Sequence, residues 1–314
     1  MRIAIIGRSE ILYDTALRLQ ALGHEIAVVV TAKEAPEYTR TADDFRALAD
    51  SSGAPFMHSP SMRDRHATLA GLSALPAIDI AVSYNYTGVI PQEVIDLFRL
   101  GILNAHGGDL PRYRGNACQA WAIVNGESHV GLCVHRMIGG ELDSGPIVAR
   151  EHFPLTHEST ITEVHCWMHD RIPALFEEAV TALAVDDGFS IEIQSTDPAD
   201  ALRCYPRRPE DGAIIWSHAA LNVARLINAS GEPYSGAYAD FEGERVVFWS
   251  ARRVDDGERF LAVPGQVMTI GESFIDVATG DGKIRLADVT YRGARTTPDS
   301  FIHSIRKRFG NGEV

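Results

Sequence analysis

The N-terminal third of the chain alternates short, wholly apolar runs with amphipathic segments, and few folds satisfy that alternation. Ile3 to Ile6 is apolar and ends at Gly7; Leu12, Ala16, Leu17, Leu19 and Leu22 then recur at helical spacing up to Gly23. Residues 25–31 (EIAVVVT) are again a nearly continuous apolar run. A strand without polar alternation is covered on both faces, as parallel strands between helical layers are. Further strands are expected at 54–57, 78–84, 102–105 and 130–134, with helices at 43–49 and 92–98. The expected fold class is α/β, a Rossmann-like, mostly parallel sheet with helices on both faces.

A helix over 160–183, kinked at Pro173, follows. It carries His165 and His169 one turn apart, beside Cys166. Val164, Trp167, Met168, Ile172, Leu175 and Phe176 on one face, with no third ligand in reach, make this a packing surface rather than a metal pair. Residues 203–212 are turn-rich and polar. After a helical pattern at 214–227, the remainder reads as short strands at 237–241, 245–249, 266–270, 273–279 and 284–289 separated by tight turns. Such spacing predicts a small, OB-like β-barrel. The 314 residues are thus expected as two domains, 1–204 and 205–314.

Composition narrows the function classes. The chain carries 29 basic and 42 acidic residues, net −13, and residues 207–314 hold 14 and 15 of them, net −1. Nucleic-acid binders ordinarily show a basic footprint, because phosphate neutralisation supplies most of their affinity. On that ground a nucleic-acid partner is not expected. No apolar run reaches the roughly 18 residues of a spanning helix. The first residues read as a strand rather than a leader, and the four cysteines show no CxxC pairing. Both point to a reducing cytoplasm.

The loop after the first strand, Gly7-Arg-Ser-Glu10, lacks G-x-G-x-x-G, so NAD is not expected. Open sheets of this kind take ligands at the carboxyl ends of their strands, here 84–90, 104–116 and 135–145. Asn104 and His106 are two apart, so an extended chain puts both side chains on one face. An amide donor beside an imidazole suits acyl transfer, the first stabilising a developing oxyanion and the second handling a proton. Asp143 sits in a glycine-flanked loop, placed either to orient a histidine or simply to make a turn.

Taken together, Asn104, His106, Leu110-Pro-Arg-Tyr-Arg-Gly115, Trp121-Ala-Ile-Val-Asn-Gly-Glu127, His135-Arg-Met137 and Asp143-Ser-Gly145 resemble, in order, the 10-formyltetrahydrofolate-dependent formyltransferases. The resemblance reaches the second domain at Arg208-Pro-Glu-Asp-Gly-Ala-Ile-Ile-Trp216 and Pro233-Tyr-Ser-Gly-Ala237. It implies Asn104, His106 and Asp143 as the catalytic three. It implies a folate site at Gly88, Val89, Ile90, Asn116, Gly139, Gly140, Glu141 and Leu142. The implied formyl donor is 10-formyltetrahydrofolate, with no metal. Two features depart from the family pattern. Gly108 and Asp109 stand where serine and leucine are usual, and the spacing from His135 to Asp143 is one residue longer than expected.

Two-domain members of the family formylate either initiator methionyl-tRNA or nucleotide-linked amino sugars for surface polysaccharide. The near-neutral second domain and the short, non-basic loop at 31–38 lead to the expectation of a sugar-nucleotide amine. The alternatives are methionyl-tRNA, another small amine such as a hydroxylated ornithine, and a folate-binding scaffold without turnover. Exposed barrel edges would serve a homodimer.

Overall fold

The computed structural model describes residues 1–59 and 65–312. In chain order its first elements are β1 (Arg2–Gly7), α1 (Glu10–Ala21), β2 (Glu25–Thr31), α2 (Ala42–Ser52), β3 (Phe56–His58), α3 (Arg65–Ser73), β4 (Ile80–Tyr84), α4 (Gln92–Ile95) and β5 (Ile102–His106). There follow β6 (Arg114–Gly115), α5 (Cys118–Asn125), β7 (His129–Arg136), β8 (Ile147–Pro154), α6 (Ile161–Val185) and β9 (Arg203–Cys204). The chain forms two compact units. One comprises residues 1–115, 131–152 and 167–203; the other comprises 116–130, 153–166 and 204–314. Neither is one stretch of sequence, whereas the turn-rich, polar run at 203–212 led to the expectation of a single cut after residue 204.

The first unit is organised by a seven-stranded sheet in the order β3-β2-β1-β4-β5-β7-β8. The pairs from β3 through β5 are parallel, and β5 pairs β7 antiparallel. The apolar runs behave as their composition requires: Ile3 to Ile6, Val28 to Val30 and Ile80 to Val82 are fully buried. Helix α1 buries Ile11, Leu12, Ala16 and Leu19 and leaves Leu17 exposed. Helix α2 opens with a capping box, in which the Asp44 N–H donates to Thr41 Oγ1 and the Thr41 N–H donates to Asp44 Oδ2 at 2.7 Å. The order reverses between β1 and β4, and such a sheet presents its ligand sites outside the carboxyl ends of its parallel strands. Strand β8 was not anticipated, because Arg150, Glu151 and His152 interrupt its apolar run.

The second unit continues with α7 (Ala220–Asn228), β10 (Ala237–Phe241), β11 (Glu244–Phe248), β12 (Ala251–Val254), β13 (Val267–Gly271), β14 (Phe274–Ala278), β15 (Lys283–Leu286), β16 (Val289–Tyr291) and β17 (Ala294–Thr296). Two four-stranded sheets, β10-β11-β16-β17 and β12-β15-β14-β13, share one core. Two expectations are corrected here. Residues 214–216 do not open the helix: Ile214 and Trp216 are buried and Ile215 is exposed, a period of two. The Ile214 N–H accordingly donates to the Tyr238 carbonyl at 2.9 Å, and α7 starts only at Ala220, whose N–H donates to Asp281 Oδ1 at 2.7 Å. The run 284–289 is two strands, since the chain passes from one sheet to the other between β15 and β16.

At the centre of that core Trp216 lies 5.4 Å from Phe309 and 6.0 Å from Phe248, ring centre to ring centre. Its indole N–H donates to the Gly310 carbonyl at 3.0 Å. Trp216→Ala removes a large buried ring at 1% exposure. Urea denaturation should show a loss of about 3–5 kcal/mol; a loss under about 1 kcal/mol would mean that the site collapses freely.

Candidate active site

Strand β5 sets the site. Asn104 and His106 project to the same side, Ala105 to the other, as period two demands. Antiparallel pairing with β7 then places His135 directly opposite Asn104 and Cys133 opposite His106. His135 is 2% exposed; its Nδ1 donates to the Arg136 carbonyl at 3.1 Å, and its Nε2 lies 3.4 Å from Asn104 Nδ2. The same Nε2 stands 3.5 Å from Asp143 Oδ1.

Asp143 comes from the loop between β7 and β8 and adopts φ 49°, a left-handed conformation that aspartate tolerates better than most residues. Gly145 explains the Asp-x-Gly pattern, because a Cβ there would fall 1.8 Å from the Arg136 carbonyl oxygen. Gln194, 5% exposed, fastens the turn, its amide donating to the Asp143 carbonyl at 2.9 Å and the Gly145 carbonyl at 2.7 Å. Arg114 Nη2 in turn donates to Gln194 Oε1 at 2.8 Å, and the Gly115 N–H donates to Asp143 Oδ2 at 3.0 Å.

His106 is held from two sides. Its Nε2 donates to the Tyr113 carbonyl at 2.6 Å, while Nδ1 stands 3.6 Å from Asp143 Oδ2. A carbonyl only accepts, so Nε2 carries the proton and Nδ1 keeps its lone pair. Burial lowers the His106 pKa and outweighs the opposing pull of Asp143 and of the Tyr113 carbonyl, which leaves the ring neutral near neutral pH. For Asp143, burial alone would raise the pKa; His106, His135 and the Gly115 N–H together override it and hold the carboxylate ionised. Such a pair presents a neutral base next to a fixed negative charge.

The three residues expected to act together, Asn104, His106 and Asp143, therefore do converge. His135 was read in the sequence as part of the His135-Arg-Met137 motif, but its place beside Asn104 becomes visible only once the β5–β7 register is known. Gln194 went unread, lying far along the chain with no motif around it. The loop holding Gly88, Val89 and Ile90 adjoins the one holding Gly139, Gly140, Glu141 and Leu142, the Gly139 N–H donating to Gln92 Oε1 at 2.8 Å. Val89 (64%) and Leu142 (43%) are exposed, whereas Ile90 is core at 2%. Gly140 has open space beside it, and Glu141 accepts from Ser144 Oγ at 2.5 Å. Asn116 belongs to the second unit, where its N–H donates to the Cys204 carbonyl at 3.2 Å. Of the histidines on α6, the His165 ring meets Tyr234 edge-on and His169 faces Asp14 at 3.3 Å. The His165 Nε2 is buried without a hydrogen-bond partner among the described residues.

Residues 1–180 match the family model described as Formyl transferase, and 207–306 match Formyl transferase, C-terminal domain. The chain is 28% identical to a methionyl-tRNA formyltransferase of Pelotomaculum thermopropionicum, the match covering 94% of this chain and 92% of that protein. It is 29% identical to a methionyl-tRNA formyltransferase of Pseudomonas putida, over 100% of this chain and 99% of the relative. Among solved structures it resembles WlaRD, a sugar 3N-formyl transferase crystallised in the presence of dTDP and 5-N-formyl-THF. There the TM-score is 0.67 at 15% identity, over 94% of this chain and 98% of that one.

These findings correct the expected sugar-nucleotide acceptor. The relatives matched along nearly their whole length act, by name, on methionyl-tRNA, whereas the likeness to the sugar enzyme extends to the fold alone. Net charge averages over a whole surface and does not describe any one face of it. In the second unit Asp276 is spent on Arg285 and Asp288 on Arg295, while Arg252 and Arg253 on β12 stand exposed. Matched by its family's model over more than half its length, and carrying the converging asparagine, histidine and aspartate at the end of β5, the chain belongs to the formyl transferase family, whose members are formyl-transfer enzymes.

Proposed function

We propose that this protein formylates the α-amino group of methionyl-tRNA, with 10-formyltetrahydrofolate as the donor. The observation that carries the reading is the end-to-end match to two methionyl-tRNA formyltransferases. For the donor, the residues at hand fit a flat heteroaromatic ring. Exposed Val89 and Leu142 offer apolar contact, and the open backbone at Gly140 leaves room for close approach. Gly88, Ile90, Gly139 and Glu141 complete these two loops. When bound, the donor supplies the formyl carbon on a nitrogen leaving group.

The residues divide the remaining work. His106 Nδ1, whose lone pair the Tyr113 hydrogen bond preserves, takes the proton that the attacking amine loses and returns one to the departing nitrogen. Asp143 stabilises the imidazolium that exists between those events; at 3.6 Å it acts through charge rather than a direct hydrogen bond. Asn104 directs one N–H to His135 and has a second for the carbonyl oxygen under attack. An oxyanion donor is worth about 2.7–4 kcal/mol and a positioned base about 10²–10⁴ in rate. His135 Nε2 accepts that N–H and so fixes the Asn104 amide. All four cysteines are free thiols, which fits the reducing cytoplasm that we also assign.

The decisive assay offers 10-formyltetrahydrofolate and initiator methionyl-tRNA, follows tetrahydrofolate release and confirms formyl-methionine by mass. No turnover on the tRNA by protein that still binds folate would overturn the acceptor. In this assay His106→Ala and Asp143→Ala should each lower kcat at least about a hundredfold, with circular dichroism unchanged. Near-wild-type turnover in either variant would remove its role. A second check is the pH profile. The base must be neutral, and its pKa lies below the ordinary 6.5, so the acid limb of kcat should be centred below pH 6.5. An acid limb centred near or above about 7.5 would point to a different group.

A further inference from the structure

On its Nε2 side His106 is held by a backbone carbonyl, so that part of its alignment is only as firm as the loop that carries the carbonyl. That loop, residues 107–113, leaves β5 and returns Tyr113 against the ring. Gly108 is required for the return: a Cβ there would fall 2.1 Å from the Tyr113 carbonyl oxygen and 2.5 Å from His106 Nε2. The serine usual in the family at this position would not fit this loop conformation.

The neighbouring departure, Asp109, supplies the anchor. Arg150 on β8 donates through Nη2 to the Leu110 carbonyl at 2.6 Å, and its Nη1 stands 3.6 Å from Asp109 Oδ1. Asp109 also faces His152 Nε2 at 3.2 Å, and Glu192 holds Arg150 Nη2 at 3.2 Å. Underneath, the Cys133 thiol donates to the Gly108 carbonyl at 3.4 Å. One guanidinium therefore grips both the backbone and the side chain of a two-residue segment, a geometry that a planar fork provides and a point charge does not. The Arg150 side chain is 19% exposed and that of Asp109 25%, which shields the pair from much of the screening that weakens surface ion pairs.

The geometry points to Asp109 and Arg150 as positioning residues for formyl transfer, clamping the 107–113 loop so that the Tyr113 carbonyl holds the His106 ring with Nδ1 turned toward Asp143. The inference rests on the reading of His106 as the base. Neither residue touches the reacting atoms, so their influence runs through His106 alone.

That dependence makes the inference testable by a cycle. Arg150→Met, Arg150→Lys and Asp109→Asn are each made in the wild-type and His106→Ala backgrounds, with kcat, acceptor KM and tetrahydrofolate Kd measured at saturation. In the wild-type background Arg150→Met should lower kcat by about ten- to a hundredfold, the cost of a misplaced catalytic group. KM and Kd should stay within about threefold, because binding groups are untouched. Arg150→Lys should recover part of the loss, and Asp109→Asn should add little to Arg150→Met, since the pair acts as a unit. In the His106→Ala background Arg150→Met should change the residual rate by less than about twofold. An independent readout is the ¹⁵N signature of the His106 ring: a protonated Nε2 in the wild type, tautomers averaged in Arg150→Met. Equal losses in both backgrounds, or an unaltered ring signature, would overturn the proposal and leave the clamp as ordinary packing. Should Arg150→Met fail to fold, Asp109→Asn takes its place in the same cycle. If His106→Ala alone kept full turnover, the fault would lie with the base assignment, and that single variant reports it before the cycle begins.

Discussion

The hydrogen bond between His106 Nε2 and the Tyr113 carbonyl decides what the site can do. A neutral imidazole has one donor and one acceptor nitrogen, and committing the donor to a backbone carbonyl leaves the acceptor facing Asp143. The other features of the site serve that division. Burial keeps the ring neutral, and the turn built on Gly145 and Gln194 delivers a carboxylate that three neighbours hold ionised. A neutral base and a permanent anion are thus kept apart by environment rather than by residue type.

What the sequence made legible, and what it did not, follows from the range of the forces involved. The parallel strands were readable because a strand covered on both faces must be apolar throughout, a local rule that Ile3 to Ile6 and Val28 to Val30 obey. Asn104 and His106 were readable as neighbours because two residues apart on a strand means one face. His135 was not: its approach to Asn104 depends on the register between β5 and β7, which the intervening 30 residues do not encode locally. Tyr113 acts through its carbonyl, so its side chain carries no signature of the role. Residues 214–216 misled for a related reason, since three apolar positions in a row satisfy a helix face and a strand alternation equally until the chain ahead of α7 pairs with Tyr238.

The overturned sugar-nucleotide expectation shows the limit of composition. A net of −1 over residues 207–314 was read as a surface indifferent to phosphate, yet net charge says nothing about where charges sit or which of them already have partners. Asp276 at 1% exposure contributes to the sum as fully as an exposed carboxylate, although its field is largely cancelled by Arg285 within 2.7 Å.

Three of the four thiols are enclosed by the protein, and Cys166 on α6 is exposed. Cys133, beneath the loop that aligns His106, is pushed up to about 11 by burial, so it stays a thiol where oxidants and alkylating agents need a thiolate. Electrophiles should therefore mark the molecule at Cys166 and spare the region around His106. Cys166 is thus the accessible attachment point for a fluorophore or spin label, away from the loop that carries Tyr113.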